Sequence, residues 1–179
     1  FHEFSQYFRG EVIRRIMDFS LDIFGGDPGY LNGISRNSII DKAGLRYHAP
    51  TRNYAEASNI YAASKINLNI TSLQFDDAVI NRVIDVAASG GFVLTDWKTD
   101  LRKLTSVHNE ISYRTIDELN EKIEYYLVNE KERCEIAEQL RQDITRNCRY
   151  HNIAEYILDR TTMNKRGKAR RLQLDLGCG

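Results

Sequence analysis

An α/β fold, with a parallel β-sheet covered by helices on both faces, is predicted by three features of this sequence. Short apolar strand patterns alternate with helical ones, the links between them are brief, and everything from Thr115 onward reads as helix. Such alternation is the βαβ pattern, in which each helix carries the chain back so that the next strand lies parallel to the last. Right-handed crossovers then make the arrangement Rossmann-like.

The elements follow in order. "EFSQYFRGEVIRRIMDF" is helical, with Phe4, Tyr7, Phe8, Val12 and Ile16 near one face. "SLDIF" is a short strand ended by Gly25-Gly26 and the turn "DPGY". "SIIDKAG" is a short helix, "LRYH" a strand stopped by Pro50, "YAEASNIYAAS" a helix and "INLNI" a strand. "DAVINRVIDVAAS" is the next helix, followed by the strands "GFVLT" and "EISY". Thr115 and Glu118 form a capping box that fixes the start of the helical region. Ile116, Leu119, Ile123 and Leu127 follow at helical spacing. A second helix begins near Glu130 with Ile136, Leu140 and Ile144 as its buried line, and a third runs from about Asn152 with Ile153, Tyr156 and Ile157. In parallel sheets ligands bind outside the carboxyl ends of the strands. That rule selects the loops Gly25–Tyr30, Ala49–Asn53, Thr71–Asp77 and Asp96–Leu101.

Composition narrows the function. Lys+Arg and Asp+Glu are 25 each, a balance that argues against a nucleic-acid groove or a membrane-surface protein. No apolar run approaches the ~20 residues that span a bilayer. Cys134, Cys148 and Cys178 have no CxxC spacing and read as free thiols of a cytoplasmic protein. The four histidines are scattered, so no metal site is predicted. GxSxG, GxxxxGK[ST] and a full GxGxxG are all missing from the sequence.

Residues 1–160 read as one domain. Beyond them "NKRGKARR" is a basic linker, and "LQLDLGCG" is an apolar strand running into Gly-Cys-Gly. That close resembles the opening of an S-adenosylmethionine-dependent methyltransferase. Residues 161–179 are therefore expected to be a linker and the truncated start of a following domain.

The helix expected over residues 77–89 carries the most chemistry. Asp76 or Asp77 can cap it and Gly90 can end it. Val79, Ile80, Val83, Ile84, Val86 and Ala87 share one face; Ala78, Asn81, Arg82, Asp85 and Ser89 share the other. Two readings fit. In one, the polar face meets water and Arg82 pairs with Asp85 at i,i+3. In the other, the N-terminus sits at the carboxyl edge of the sheet, where free N–H groups favour a diphosphate. Arg82 would add a charge-assisted contact, and Asp85, an acceptor-only group, could take both hydroxyls of a ribose. Asn67 and Asn69 interrupt the strand before it with two amides on one face. They serve either a hydrogen-bond network beneath a helix or, for Asn69 nearer the carboxyl end, a ligand loop.

"YAASKINLNIT", "NRVIDVAASGGFVLTDWKTDL" and "NEISYRTIDELNEKIEYYLVNEKER" with the closing helices make the chain similar to the spore-maturation-type glycosyltransferases. These are a branch of the group 1 enzymes with GT-B architecture, two Rossmann-like halves facing across a cleft. The resemblance covers residues 1–158, most specifically 60–133. It implies that this chain is the C-terminal half, which holds a UDP- or GDP-linked sugar donor, with a missing N-terminal half to supply the acceptor site. It implies no cofactor and no metal, and it assigns no catalytic residue. Donor-binding positions carry over to Gly25, Gly26, Asp77, Arg82 and Asp85, and Asn69, the amide nearer the carboxyl end of its strand, joins them as a donor-binding candidate. The family's Glu-x7-Glu spacing falls on Asp77 and Asp85, both the shorter acid, and Arg82 matches an arginine three residues before the second acid. The aromatic expected after the first glycines is replaced by Asp27-Pro28, and of His-Thr-Tyr-x-x-Arg only Tyr150 remains, in "CRYHNI". A non-catalytic binding or scaffold module of the same fold is the alternative.

Overall fold

A computed structural model describes residues 2–16, 19–25, 45–148 and 150–165. Its elements are α1 (His2–Arg15), β1 (Leu21–Phe24), β2 (Leu45–His48), α2 (Tyr54–Ala63), β3 (Asn67–Asn69), α3 (Asn81–Ala88), β4 (Val93–Asp96), α4 (Leu101–Leu104), β5 (Ser112–Tyr113), α5 (Ile116–Val128), α6 (Glu130–Asn147) and α7 (Tyr150–Lys165). Among the described residues, every strand pair is parallel. β1 pairs with β2, Leu21 opposite Leu45. The other sheet has the order β3-β4-β5, with Asn67 opposite Val93 and Thr95 opposite Ser112. The α/β fold with helix-flanked parallel strands is thus as expected. Among the described residues, the strands form two hydrogen-bonded groups.

The core gathers around β4. Val93 and Leu94 are fully buried, with Val83, Val86 and Ala87 of α3, Leu119 and Ile123 of α5, and Ile136, Leu140 and Ile144 of α6 against them. Val12 and Ile16 bring α1 into the same cluster. Three apolar residues depart from their expected faces. Phe4 and Tyr7 are 69% and 61% exposed, because the buried face of α1 runs through Ser5, Val12 and Ile16 instead. Leu127 is exposed and Tyr126 is buried instead, its ring tilted against Phe92 at 4.7 Å between centroids.

Thr115 caps α5 by accepting from the Glu118 N–H at 3.1 Å. The Glu118 carboxylate reaches back to the Arg114 N–H at 2.8 Å, one residue before the helix cap, so the expected box closes one residue early. α7 continues to Lys165, past the break in pattern at residue 160. The expected helix over 38–44, Gly26 and the "LQLDLGCG" strand lie outside the described residues. Among the described residues, no helix is long and apolar enough to cross a membrane.

α3 begins at Asn81, later than the expected start near Asp77. Ile80 occupies its N-cap position in an extended conformation, and no side chain caps it. Asp77 cannot serve: its carbonyl accepts the Asp100 N–H at 3.2 Å, which ties that residue to the link after β4. The C-terminus is closed. Gly90 takes the left-handed conformation at φ +79°. The N–H groups of Gly90 and Gly91 return to the carbonyls of Ala87 and Val86, both at 3.0 Å, which is a Schellman motif. A Cβ at Gly91 would stand 2.5 Å from the Tyr61 carbonyl oxygen, so only glycine lets α2 and α3 approach this closely.

Candidate functional site

Two helices that follow parallel strands, α2 after β2 and α3 after β3, begin at the edges of one open groove of about 820 Å³. Thr51, Arg52, Asn53 and Tyr54 form one wall; Phe75 and the run Ala78–Arg82 form the other, with Asp85 one turn further along α3. This is the carboxyl edge of the strands, where the loops Ala49–Asn53 and Thr71–Asp77 were expected to meet a ligand.

The two helix starts differ. At α2 the Asn53 side chain accepts the Glu56 N–H at 2.9 Å, and the Glu56 carboxylate accepts the Arg52 N–H at 2.8 Å. At α3 the hydrophobic Ile80 leaves the first N–H groups without a side-chain acceptor. A helix start of this kind presents partial positive charge and free donors.

Arg82 and Asp85 both line the groove, and they do not pair with each other. Neither the Arg82 guanidinium nor the Asp85 carboxylate has a hydrogen bond or ion pair to any described residue. Of the two readings of this helix face, the mutual i,i+3 pair is therefore not formed. Arg52, on the opposite wall, also has an unpartnered guanidinium among the described residues. Two cations, free helix N–H groups and a carboxylate thus surround one space, whose remaining lining includes the aromatic rings of Tyr54, Tyr61 and Phe75. Chemically, the set suits an anion at the helix start, a hydroxyl-bearing group at Asp85 and a flat ring against the aromatics.

The other sequence candidates lie elsewhere. Asn69 is 1% exposed and is not part of the lining; its amide nitrogen donates to Thr95 Oγ1 at 2.9 Å and Thr71 Oγ1 at 3.2 Å. Its Oδ1 is buried without a partner. Asn67 donates to the carbonyls of Tyr61 and Phe92, at 2.9 and 3.0 Å, which is the network expected beneath a helix. Asp77 is exposed just outside the lining. Gly25, at φ +85°, donates to the His48 carbonyl at 3.3 Å beside an exposed cluster in which Arg46 and His48 bind Asp22. Arg46 first, then His48, holds the Asp22 carboxyl well below its ordinary range.

Sequence reasoning selected both wall loops and placed Asn81 on the polar face of its helix, but it singled out neither Arg52 and Phe75 within those loops nor Tyr54 just after the first. Their signal was position alone: each lies between the end of a parallel strand and the first turn of the next helix. Among the described residues no group of three or more His, Cys, Asp or Glu could hold a metal ion.

Comparison with known proteins found no match among curated proteins and none among solved structures. A family model does match. It is described as glycosyl transferase-like and covers residues 8–159, which include both walls of the groove. A match over most of the 179 residues shows that this chain belongs to the glycosyl transferase-like family.

Proposed function

We propose that this chain is the nucleotide-sugar-binding half of a GT-B glycosyltransferase of the spore-maturation type. The complete enzyme transfers a sugar from UDP or GDP to an acceptor held by the other half. One observation carries the reading: the uncapped start of α3, Arg82 and Asp85 converge on a single groove without satisfying one another. The Asn81 and Arg82 N–H groups receive the donor diphosphate, the Arg82 guanidinium adds a charge-assisted bond, and Asp85 accepts from the ribose hydroxyls. As the sugar departs, negative charge grows on the leaving diphosphate. Preorganised donors at that position stabilise it more in the transition state than in the ground state.

The test is calorimetric titration with a panel of UDP- and GDP-sugars. Asp85→Asn keeps size but converts an acceptor-only carboxylate into an amide. Charge-assisted bonds contribute about 1.5–3 kcal/mol each, so affinity should fall at least about tenfold. Arg82→Gln should weaken binding and flatten its salt dependence. Donor binding that survives both changes retires the site assignment. No donor binding by the unaltered chain favours a scaffold module, a reading supported by the shorter acid at both positions 77 and 85.

A further inference from the structure

We infer that Asp96 and Lys98 are positioning residues that hold the groove wall formed by residues 71–80 in the shape that receives a ligand; the inference rests on the groove being the donor site. The segment between β3 and α3 has no strand or helix of its own. Its one internal backbone bond of note is a turn, Phe75 N–H to the Ser72 carbonyl at 3.0 Å. Its shape must therefore come from elsewhere, because backbone groups without a ladder are free to exchange partners with water.

The end of β4 and the link after it supply that shape at three points. The Thr71 N–H donates to Asp96 Oδ1 at 2.8 Å. Lys98 Nζ donates to the Phe75 carbonyl at 2.5 Å and stands 3.1 Å from Asp96 Oδ2, so one ammonium joins the carboxylate to the middle of the segment. The Asp100 N–H donates to the Asp77 carbonyl at 3.2 Å. The side chains of Lys98 and Asp96 are only 12% and 20% exposed, unlike an ordinary surface pair. Beneath them Asn69 donates to Thr71 and Thr95, and Tyr113 donates to the Asn69 carbonyl at 3.2 Å, which fixes the root of the segment.

The consequence falls on the groove. Lys98 holds the Phe75 carbonyl while the Phe75 ring, 40% exposed, lines the groove. Three residues after Asp77, Ile80 begins the open start of α3. Asp96 and Lys98 touch no groove space themselves; they act through the backbone that carries Phe75 and the first N–H groups of α3.

Three variants of the full chain test this: Lys98→Met, which keeps the stem and removes the charge, Lys98→Arg, which keeps the charge, and Asp96→Asn. The readouts are amide hydrogen exchange over residues 71–80, exchange over α5 and α6, and titration with UDP- and GDP-sugars. For Lys98→Met the expected result is at least tenfold faster exchange in 71–80, unchanged exchange in α5 and α6, and about fivefold or greater loss of donor affinity. Asp96→Asn should act in the same direction, and Lys98→Arg should restore most of the affinity. Equal acceleration throughout the chain, or no acceleration in 71–80, overturns the inference. Donor binding with unchanged affinity in Lys98→Met and Asp96→Asn also overturns it and leaves the donor reading standing. Acceleration confined to 71–80, in a chain that binds no nucleotide sugar, shows that Asp96 and Lys98 hold the segment but overturns both the donor reading and their part in shaping a donor site.

Discussion

Two flanks of the same sheet hold a carboxylate and a helix start in opposite ways. On the flank built by residues 105–143, the buried Asp143 carboxylate is saturated. Asp143 Oδ2 accepts from the Thr105 hydroxyl at 2.9 Å and from the Ser106 N–H and hydroxyl, both at 2.8 Å; its Oδ1 accepts from Gln139 at 3.0 Å. The start of α5 on that flank is capped by Thr115 and backed by Glu118. On the flank built by residues 75–85, the start of α3 is uncapped, and the Arg82 and Asp85 side chains have no described partner. Both flanks belong to one core, so general looseness does not account for the difference. Saturated polar groups stabilise a fold. Unsatisfied ones gathered at one groove leave bonding capacity for a ligand.

The largest expected effect tests what lets the second flank stay open. α3 is fixed by its other end, where Gly91 lies under the Tyr61 carbonyl. Gly91→Ala should destabilise the chain by about 2–3 kcal/mol, since backbone rather than a flexible side chain must yield. Denaturant melts of the two proteins measure this. A cost under about 0.5 kcal/mol would show that α3 is not pinned there.

Next comes the saturated carboxylate of Asp143. Asp143→Asn places an amide among four donors and should cost about 2 kcal/mol. Burial, the largest single influence, pushes the Asp143 carboxyl up, but the Ser106 amide and hydroxyl, Thr105 and Gln139 together outweigh it, and the net shift is downward. A carboxyl lowered on folding stabilises the protein above its unfolded value of about 3.9 and loses that contribution as pH falls through the folded value. The gap between wild type and Asp143→Asn should therefore be full at neutral pH and close in acid below about pH 4. Melts across pH 2–7, on the order of one pH unit apart, check the sign.

A smaller effect comes from making the open flank resemble the closed one. Ile80→Asp supplies the missing cap with a carboxylate. Stability should change by no more than about 1 kcal/mol, as cap gain and lost apolar burial offset each other. Donor affinity should fall about tenfold, because the new carboxylate occupies the N–H groups and repels a diphosphate. Unchanged affinity would separate the helix start from ligand binding. The smallest effect is the reciprocal change: Thr115→Ala should cost about 1 kcal/mol of stability and leave donor affinity unaltered.

The fold was legible because its signals are local. Thr115, Gly90 and the apolar lines through Ile136, Leu140 and Ile144 act within one or two turns of chain, and each stands where capping signals or periodicity put it. Where α3 starts was not legible. Asp77 has the chemistry of a cap, yet a bond from Asp100, distant in sequence, holds its backbone outside the helix. Arg82 and Asp85 were found by spacing and do share the groove, but spacing could not tell a mutual pair from two separate groups. Asn69 was singled out as a polar residue near a strand end; burial beneath the wall turns it into support for Thr71 and Thr95. Arg52 and Tyr54 carry no motif, and only the meeting of α2 and α3 brings them to the site.

The open start of α3 also couples the chain's stability to its solution. Without a cap the empty protein forgoes about 1 kcal/mol. A ligand that supplies acceptors at that position binds the folded state and has no site on the unfolded chain. By mass action it would raise stability by about 2.7 kcal/mol at a hundredfold excess over its dissociation constant. The melting temperature is then a reading of ligand concentration, and a protein that melts early when purified can be considerably firmer wherever its ligand is abundant.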